Sequence, residues 1–336
     1  MPKRRLALGM AVREGVGYEG ESTAIISSLY KWRTRAGVAA GDGKLPPWPA
    51  MTAIWCVGFK NPDVPAPLGS GFPEAELIEG LHERGVLPVI FFQTTGYDRP
   101  DTSLQRWVDG DWDDHLLKFG RRSAEIGLPF VLRINQEPNG DWAPWSPSYY
   151  NQSPADYRKA WVRIFTKIHQ GMGLGNNRIM KTWYTPMGSP PKELAAQDWN
   201  GRGIHRFYPG REYVDWLGFD KYAVRTHDNP SMISSYRSIY KRVKELGPQP
   251  IYVGETGILR NNTWNDVSRG VWLDDGLRDI KRTSGWARLK GIMYFNLDMT
   301  EQENRNWLLT GDRKESILGR WGQNALQWRY QRNVIW

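Results

Sequence analysis

A single cysteine, Cys56, in 336 residues excludes an internal disulfide and any zinc site built on cysteine. It lies in the apolar run TAIWCV, where a buried, inert thiol is the expectation. Histidine is nearly as scarce. The five, at 82, 115, 169, 205 and 227, are scattered and form no H-E-x-x-H, so neither a catalytic metal nor another cofactor is expected. There is no G-x-S-x-G elbow of a serine hydrolase. No apolar run approaches the roughly 20 residues of a membrane-spanning helix, so no membrane insertion is expected. The opening MPKRRLALGM turns polar by Arg13, too short for the apolar core of a signal peptide. The chain is therefore expected to be a soluble, cytoplasmically made protein. No repeat or low-complexity linker divides it.

Aromatic residues are abundant, with 18 Trp and 15 Tyr, although the mean hydropathy is −0.60. That combination predicts exposed stacking surfaces as well as core. The net charge of +9 and a pI of about 9.5 favour polyanions or anionic surfaces. Apart from Lys3-Arg4-Arg5, however, the basic residues are dispersed and no nucleic-acid motif accompanies them. Nucleic acid is not an expected partner.

Eight short apolar runs recur: 6–12, 52–57, 87–93, 129–137, 178–184, 214–222, 250–257 and 291–298. Near-continuous apolar character implies strands covered on both faces, as in a parallel sheet. Helices are predicted over 74–85, 112–126, 154–170, 231–246 and 269–283. The third begins with a Ser153 cap and Pro154 at its first position. Alternating β and α with eight strands predicts an α/β fold, a (β/α)8 TIM barrel occupying residues 1–320 as one domain. The early connections 36–50 and 60–73 read as long, Gly/Pro-rich loops. The aromatic, basic tail 321–336 is either a final helix or a docking segment, for a second copy or for a virion.

Two motifs carry carboxylates at strand ends, RINQEPNGDWAPW at 133–145 and PIYVGETG at 250–257. In a barrel the loops at the C-terminal ends of the strands build the active site. Strands four and seven face each other across the mouth, so Glu137 and Glu255 can point into one cleft. Paired carboxylates flanking a glycosidic bond are the minimal equipment for cleaving it. Gly15-Val16-Gly17-Tyr18-Glu19-Gly20 matches G-x-G-x-x-G, with Asp42 at the distance of a ribose-binding acid, but the residues before Asp42 make no convincing strand. A glycine-rich first loop is the expectation there.

RINQEPNGDWAPW resembles the HEMNGDWYPW-type signature of glycoside hydrolase family 26, retaining β-mannanases and related glucanases. FYPGREYVDWLGFDKY at 207–222, PIYVGETG and GIMYFNLD are similar to that family's sixth, seventh and eighth strands. The resemblance implies a clan-A barrel with a double-displacement mechanism, Glu137 as acid/base and Glu255 as nucleophile. It implies that Tyr222 hydrogen-bonds the nucleophile and that Trp142 lines the cleft beside the acid/base. Arg133 and Tyr222 are expected to keep Glu255 charged. Gln136 stands where the family usually has His, which bears on the sugar more than on the reaction. Trp142 and Trp145 are the leading stacking candidates. Trp183, Trp264, Trp307, Trp107 and Trp112 also fall at or beyond strand ends, whereas Trp216 reads as core. Asp220 and Asn296 are candidate partners of substrate hydroxyls. The expected function is an endo-acting retaining β-glycosidase on a polysaccharide, with a phage tail or envelope-degrading role as its context. A non-catalytic carbohydrate-binding barrel, serving as a structural virion component, is the alternative.

Overall fold

The computed structural model describes residues 6–12, 22–41, 44–57, 72–94, 103–147, 152–173, 178–189, 203–224, 231–260, 265–299, 305–310 and 313–327. The basic cluster at 3–5, the glycine motif at 15–20, Asp42, Trp264, tail residues 328–336 and the side chain of Cys56 lie outside them.

Eight parallel strands close into a barrel in sequence order. They are β1 (Ala7–Val12), β2 (Met51–Val57), β3 (Leu87–Gln93), β4 (Phe130–Ile134), β5 (Met180–Tyr184), β6 (Trp216–Ala223), β7 (Ile251–Ile258) and β8 (Leu289–Asn296). β1 closes on β8 in unbroken register from Ala7–Gly291 to Val12–Asn296. The (β/α)8 architecture thus follows the expected alternation, and each apolar run becomes one strand. The end of the fourth run moves furthest, from residue 137 to 134. β4 stops at Ile134 because Asn135 and Glu137 turn to φ of 44° and 53°, the left-handed region that ends a strand.

Side chains alternate between two cores, as the period of a strand requires. Outward-facing residues such as Leu132, Ile134, Leu217 and Phe219 pack beneath the helices. Inward-facing Ala7, Met51, Val89, Val131, Trp183, Trp216, Tyr252 and Met293 fill the barrel. Trp216 stacks on Tyr252 at 4.0 Å between ring centroids, and Trp183 meets both edge-on. These rings form a solid floor under the C-terminal mouth.

The helices are α1 (Ser22–Ala40), α2 (Ala75–Glu83), α3 (Leu104–Asp109), α4 (Asp113–Ile126), α5 (Pro154–Met172), α6 (Gly203–Phe207), α7 (Met232–Leu246), α8 (Asp266–Arg282) and α9 (Ile317–Gln327). α5 starts with a reciprocal cap: Ser153 Oγ accepts from Asp156 N, and Asp156 Oδ2 accepts from Ser153 N. α1 was not expected, and it occupies part of the stretch read as a loop. It has no acid in its first turn and no base in its last, so the usual end signals are missing. α9 takes up the start of the tail. Trp321 is fully buried and packs edge-on against Trp32 of α1 and Tyr294 of β8, so residues 321–327 belong to a barrel helix. A short hairpin, β9 (Asp298–Met299) with β10 (Arg305–Asn306), follows β8. Among the described residues no helix is long and apolar enough to cross a membrane.

Candidate active site

Arg133 organises the mouth of the barrel. It follows Val131 on the inward face of β4 and is completely buried. Its guanidinium lies over Phe91, 4.3 Å from the ring centroid, and over Trp183 at 5.5 Å. A buried cation needs every donor satisfied and its charge matched. Nε donates to Thr185 Oγ1 at 2.7 Å, Nη1 to Glu255 Oε1 at 2.7 Å, and Nη2 to Asp220 Oδ2. Burial alone lowers an arginine pKa. Here the charges of Asp220, Glu255 and Glu137 outweigh it and raise the value.

Glu255 sits where the β6–β7 register slips. Asp220 pairs with Glu255 while Phe219 pairs with Val253, leaving Gly254 as the extra residue. A β-carbon on Gly254 would lie 2.5 Å from Asp220 Oδ1 and 3.0 Å from Arg133 Nη2, so only glycine admits the ion pair beside β7. Tyr222 Oη donates to Glu255 Oε2 at 2.7 Å. Each oxygen of Glu255 therefore has its own donor. Burial first, and then the charge of Glu255, push the Tyr222 phenol well above its ordinary pKa, so it remains a donor. Tyr222 is held by Trp307, 4.6 Å between centroids, and by Phe295, edge-on at 5.7 Å. Burial, reinforced by Glu255 and Glu137, raises Asp220 well above the usual carboxylate range, and Arg133 opposes the shift.

Glu137 lies past the end of β4, in the turn closed by Gly140 N donating to Glu137 O at 2.9 Å. The Trp142 indole donates to Glu137 Oε2 at 2.5 Å. Glu137 N donates to Thr185 O at 2.8 Å, and Thr185 Oγ1 accepts from the Arg133 guanidinium that meets Glu255, so both glutamates stand at one mouth.

Several expected substrate contacts are redirected. Trp183 is fully buried in the barrel floor and cannot present a face to a sugar. Trp145 is 1% exposed, with its indole donating to Gln136 O, so it braces the loop. Arg133 and Asp220 are likewise enclosed and act on Glu255. Asn296 is committed to structure, its Oδ1 accepting from Leu309 N at 2.7 Å. Trp107 and Trp307 are also buried. Trp112, half-buried, packs on Trp107 and under Arg106. Trp216 is in the core, as its position in a strand implied. Gln136 is buried, and its Oε1 has no partner among the described residues. Trp142 and Tyr222 keep part of their surface open.

Thr185, Asn135, Asn139 and the half-buried pair Trp55 and Phe295 were not singled out from sequence. Asn135 and Asn139 flank Glu137 inside its own motif, which was the available signal. Thr185 and Trp55 acquire meaning only from the strand pairing. Among the described residues no cluster of three or more His, Cys, Asp or Glu is arranged to hold a metal ion.

Residues 110–259 match Glycosyl hydrolase family 26. The mannan endo-1,4-beta-mannosidase A and B of Caldalkalibacillus mannanilyticus is 22% identical over 287 residues, 75% of this chain and 50% of the relative. The mannan endo-1,4-beta-mannosidase of Bacillus subtilis is 30% identical over 97 residues, 29% of this chain and 24% of the relative. The chain thus spans half the length, or less, of these curated relatives. Among solved structures, a modular endo-beta-1,4-mannanase from Cellulomonas fimi superposes with a TM-score of 0.62 at 19% identity, over 96% of this chain and 70% of that one. A Bacillus subtilis mannanase superposes with a TM-score of 0.59 at 17% identity, over 95% of this chain and 85% of that one. Both share the barrel fold. Over residues 110–259, then, this (β/α)8 barrel is similar to glycosyl hydrolase family 26.

Proposed function

We propose that this barrel is an endo-acting retaining β-glycoside hydrolase, with Glu255 as nucleophile and Glu137 as acid/base. The observation that carries the reading is the asymmetry of the two carboxylates. Glu255 receives a cationic donor on one oxygen and a phenol on the other, which together fix its carboxyl in place. Glu137 stands outside that cluster, on a loop beside a half-buried tryptophan.

In the first step Glu255 attacks the anomeric carbon while Glu137 protonates the departing glycosidic oxygen, and the C–O bond breaks. The charge of Glu255 is consumed in the glycosyl ester. That charge is one of the causes that raise Asp220, so its loss favours the ionised Asp220 that faces Arg133 in the intermediate. Glu137, now ionised, takes a proton from water as the water attacks the anomeric carbon and frees Glu255. The names of the mannan-cleaving relatives make a β-1,4-mannan the first polysaccharide to test, and Gln136 is the position expected to shift the preference.

The test is hydrolysis of mannan, mixed-linkage glucan, xylan and a bacterial envelope polysaccharide, with anomers followed by NMR. The expected product is the β-anomer. Glu137→Gln and Glu255→Gln each lower turnover by on the order of 10²–10⁴ or more. Unchanged hydrolysis by both variants would support the non-catalytic alternative, and an inverted product would sink double displacement.

A further inference from the structure

We infer that Asn139 is a positioning residue, fixing the turn that carries Glu137 against the strands that carry Asp220 and Tyr222. The inference rests on the reading of Glu137 as the acid/base.

The loop after β4 has an unfavourable backbone. Both Asn135 and Glu137 have positive φ, a conformation that a residue with a β-carbon rarely adopts. Something outside the loop must hold it. On the β3 side, Asn135 Oδ1 accepts from Thr94 N at 2.9 Å, and Asn135 N donates to Phe92 O at 2.9 Å. Thr94 is anchored in turn by the Trp107 indole, which donates to its carbonyl at 3.1 Å. On the β5 side, Glu137 N donates to Thr185 O at 2.8 Å.

Tyr157 Oη donates to Asn135 O at 2.9 Å and the Trp145 indole to Gln136 O at 2.7 Å, and Asn139 supplies a further tie. Its Nδ2 donates to Met187 O at 3.0 Å, and its Oδ1 accepts from Met187 N at 2.7 Å. The amide thus pairs with a backbone residue as a neighbouring strand would. Met187 is bridged directly to Asp220. Gly188 N donates to Asp220 O at 2.7 Å, and Asp220 N to Pro186 O at 3.1 Å. A path of fixed hydrogen bonds therefore runs from the Glu137 turn through Asn139 and Met187 to Asp220, whose side chain meets Arg133, the donor to Glu255. Pro138 and Asn139 are the central residues of a turn from Glu137 to Gly140, and Pro138 pre-sets its φ there. Asn139 is buried, and its two side-chain hydrogen bonds go to the backbone of Met187, so its influence passes through the backbone. A misplacement of about 1 Å at such a site costs roughly 10²-fold in rate.

The test separates proton delivery from general damage. Asn139→Ala and wild type are compared on 2,4-dinitrophenyl and phenyl β-mannobiosides, with the same aryl pair on cellobiose alongside. Dinitrophenolate leaves without a proton, whereas phenolate needs one. The expected result is a loss in kcat/KM of roughly 10- to 100-fold on the phenyl glycoside and less than about 3-fold on the dinitrophenyl one. Equal losses on both, or no loss, would overturn the inference. If Asn139→Ala fails to fold by circular dichroism, Asn139→Asp, which retains the acceptor for Met187 N, carries the same comparison. Glu137→Ala tests the underlying reading. It should show the same leaving-group split more strongly, with azide restoring turnover as a β-glycosyl azide. If Glu137→Ala shows no split, the acid/base assignment fails; if it does and the Asn139 variants do not, only the role of Asn139 fails.

Discussion

Arg133 and Glu255, 122 residues apart in the chain, are joined by a 2.7 Å hydrogen bond inside the barrel, and Asp220 shares the same guanidinium. A lysine has one ammonium and cannot reproduce the planar fork that serves Thr185, Glu255 and Asp220 together. Arg133→Lys is expected to lower stability by about 3–5 kcal/mol, the usual cost of unpairing a buried charge. Urea unfolding measures it. Asp220→Asn in the same background should recover part of the loss, because it removes the buried acid left without its donor. A strictly additive double variant would show that the two residues are not coupled.

Trp142→Phe keeps an aromatic ring beside Glu137 and removes its hydrogen bond to Oε2. The indole N–H holds the Glu137 carboxyl in one orientation, so its loss is expected to lower kcat/KM by about 10-fold on glycosides whose leaving group needs a proton, as sugar packing is also disturbed. An unchanged kcat/KM on those substrates would mean that the bond does not position Glu137.

The barrel was legible because parallel strands covered on both faces leave unbroken apolar runs, and eight of them alternate with amphipathic segments. The two glutamates were legible because each stands in a polar, aromatic motif at the end of such a run. The division of labour among the tryptophans was not. Trp145 and Trp142 lie three residues apart in one motif, yet one is enclosed and the other half-open, which only loop packing decides. Trp183 sits at the end of β5 and reads as a cleft residue, but strand parity turns it into the floor. α1 was hidden for another reason: its polar positions are largely Ser and Thr, which mark loops as readily as helix surfaces.

Gly254→Ala tests the slip in β7 that aims Glu255. The added methyl would meet Asp220 Oδ1 at 2.5 Å, with Arg133 Nη2 and Thr185 Cγ2 each at 3.0 Å. None of these can retreat without breaking the ion-pair cluster. The expected cost is about 1–3 kcal/mol in urea unfolding, with kcat/KM falling by more than 10-fold. Wild-type stability and activity in this variant would show that the cluster yields easily and does not depend on a bare backbone at 254.

His115, on α4, gives the stability of the fold its own pH dependence. Burial, with help from the nearby charge of Lys118, lowers its pKa from 6.5 to about 4, and its Nε2 has no partner among the described residues. The folded chain keeps this ring neutral while the unfolded chain takes up a proton below about pH 6.5. The unfolded state thus binds more protons in that window. Stability is full above pH 6.5 and is lost as pH falls toward 4. His115→Phe removes this one titration and leaves every carboxylate in place. Between pH 7 and pH 4.5 the melting temperature of the wild type should fall further than that of the variant, by at most about 3 kcal/mol of differential stability. Parallel melting curves across that range would show that His115 is accessible to protons in the folded state.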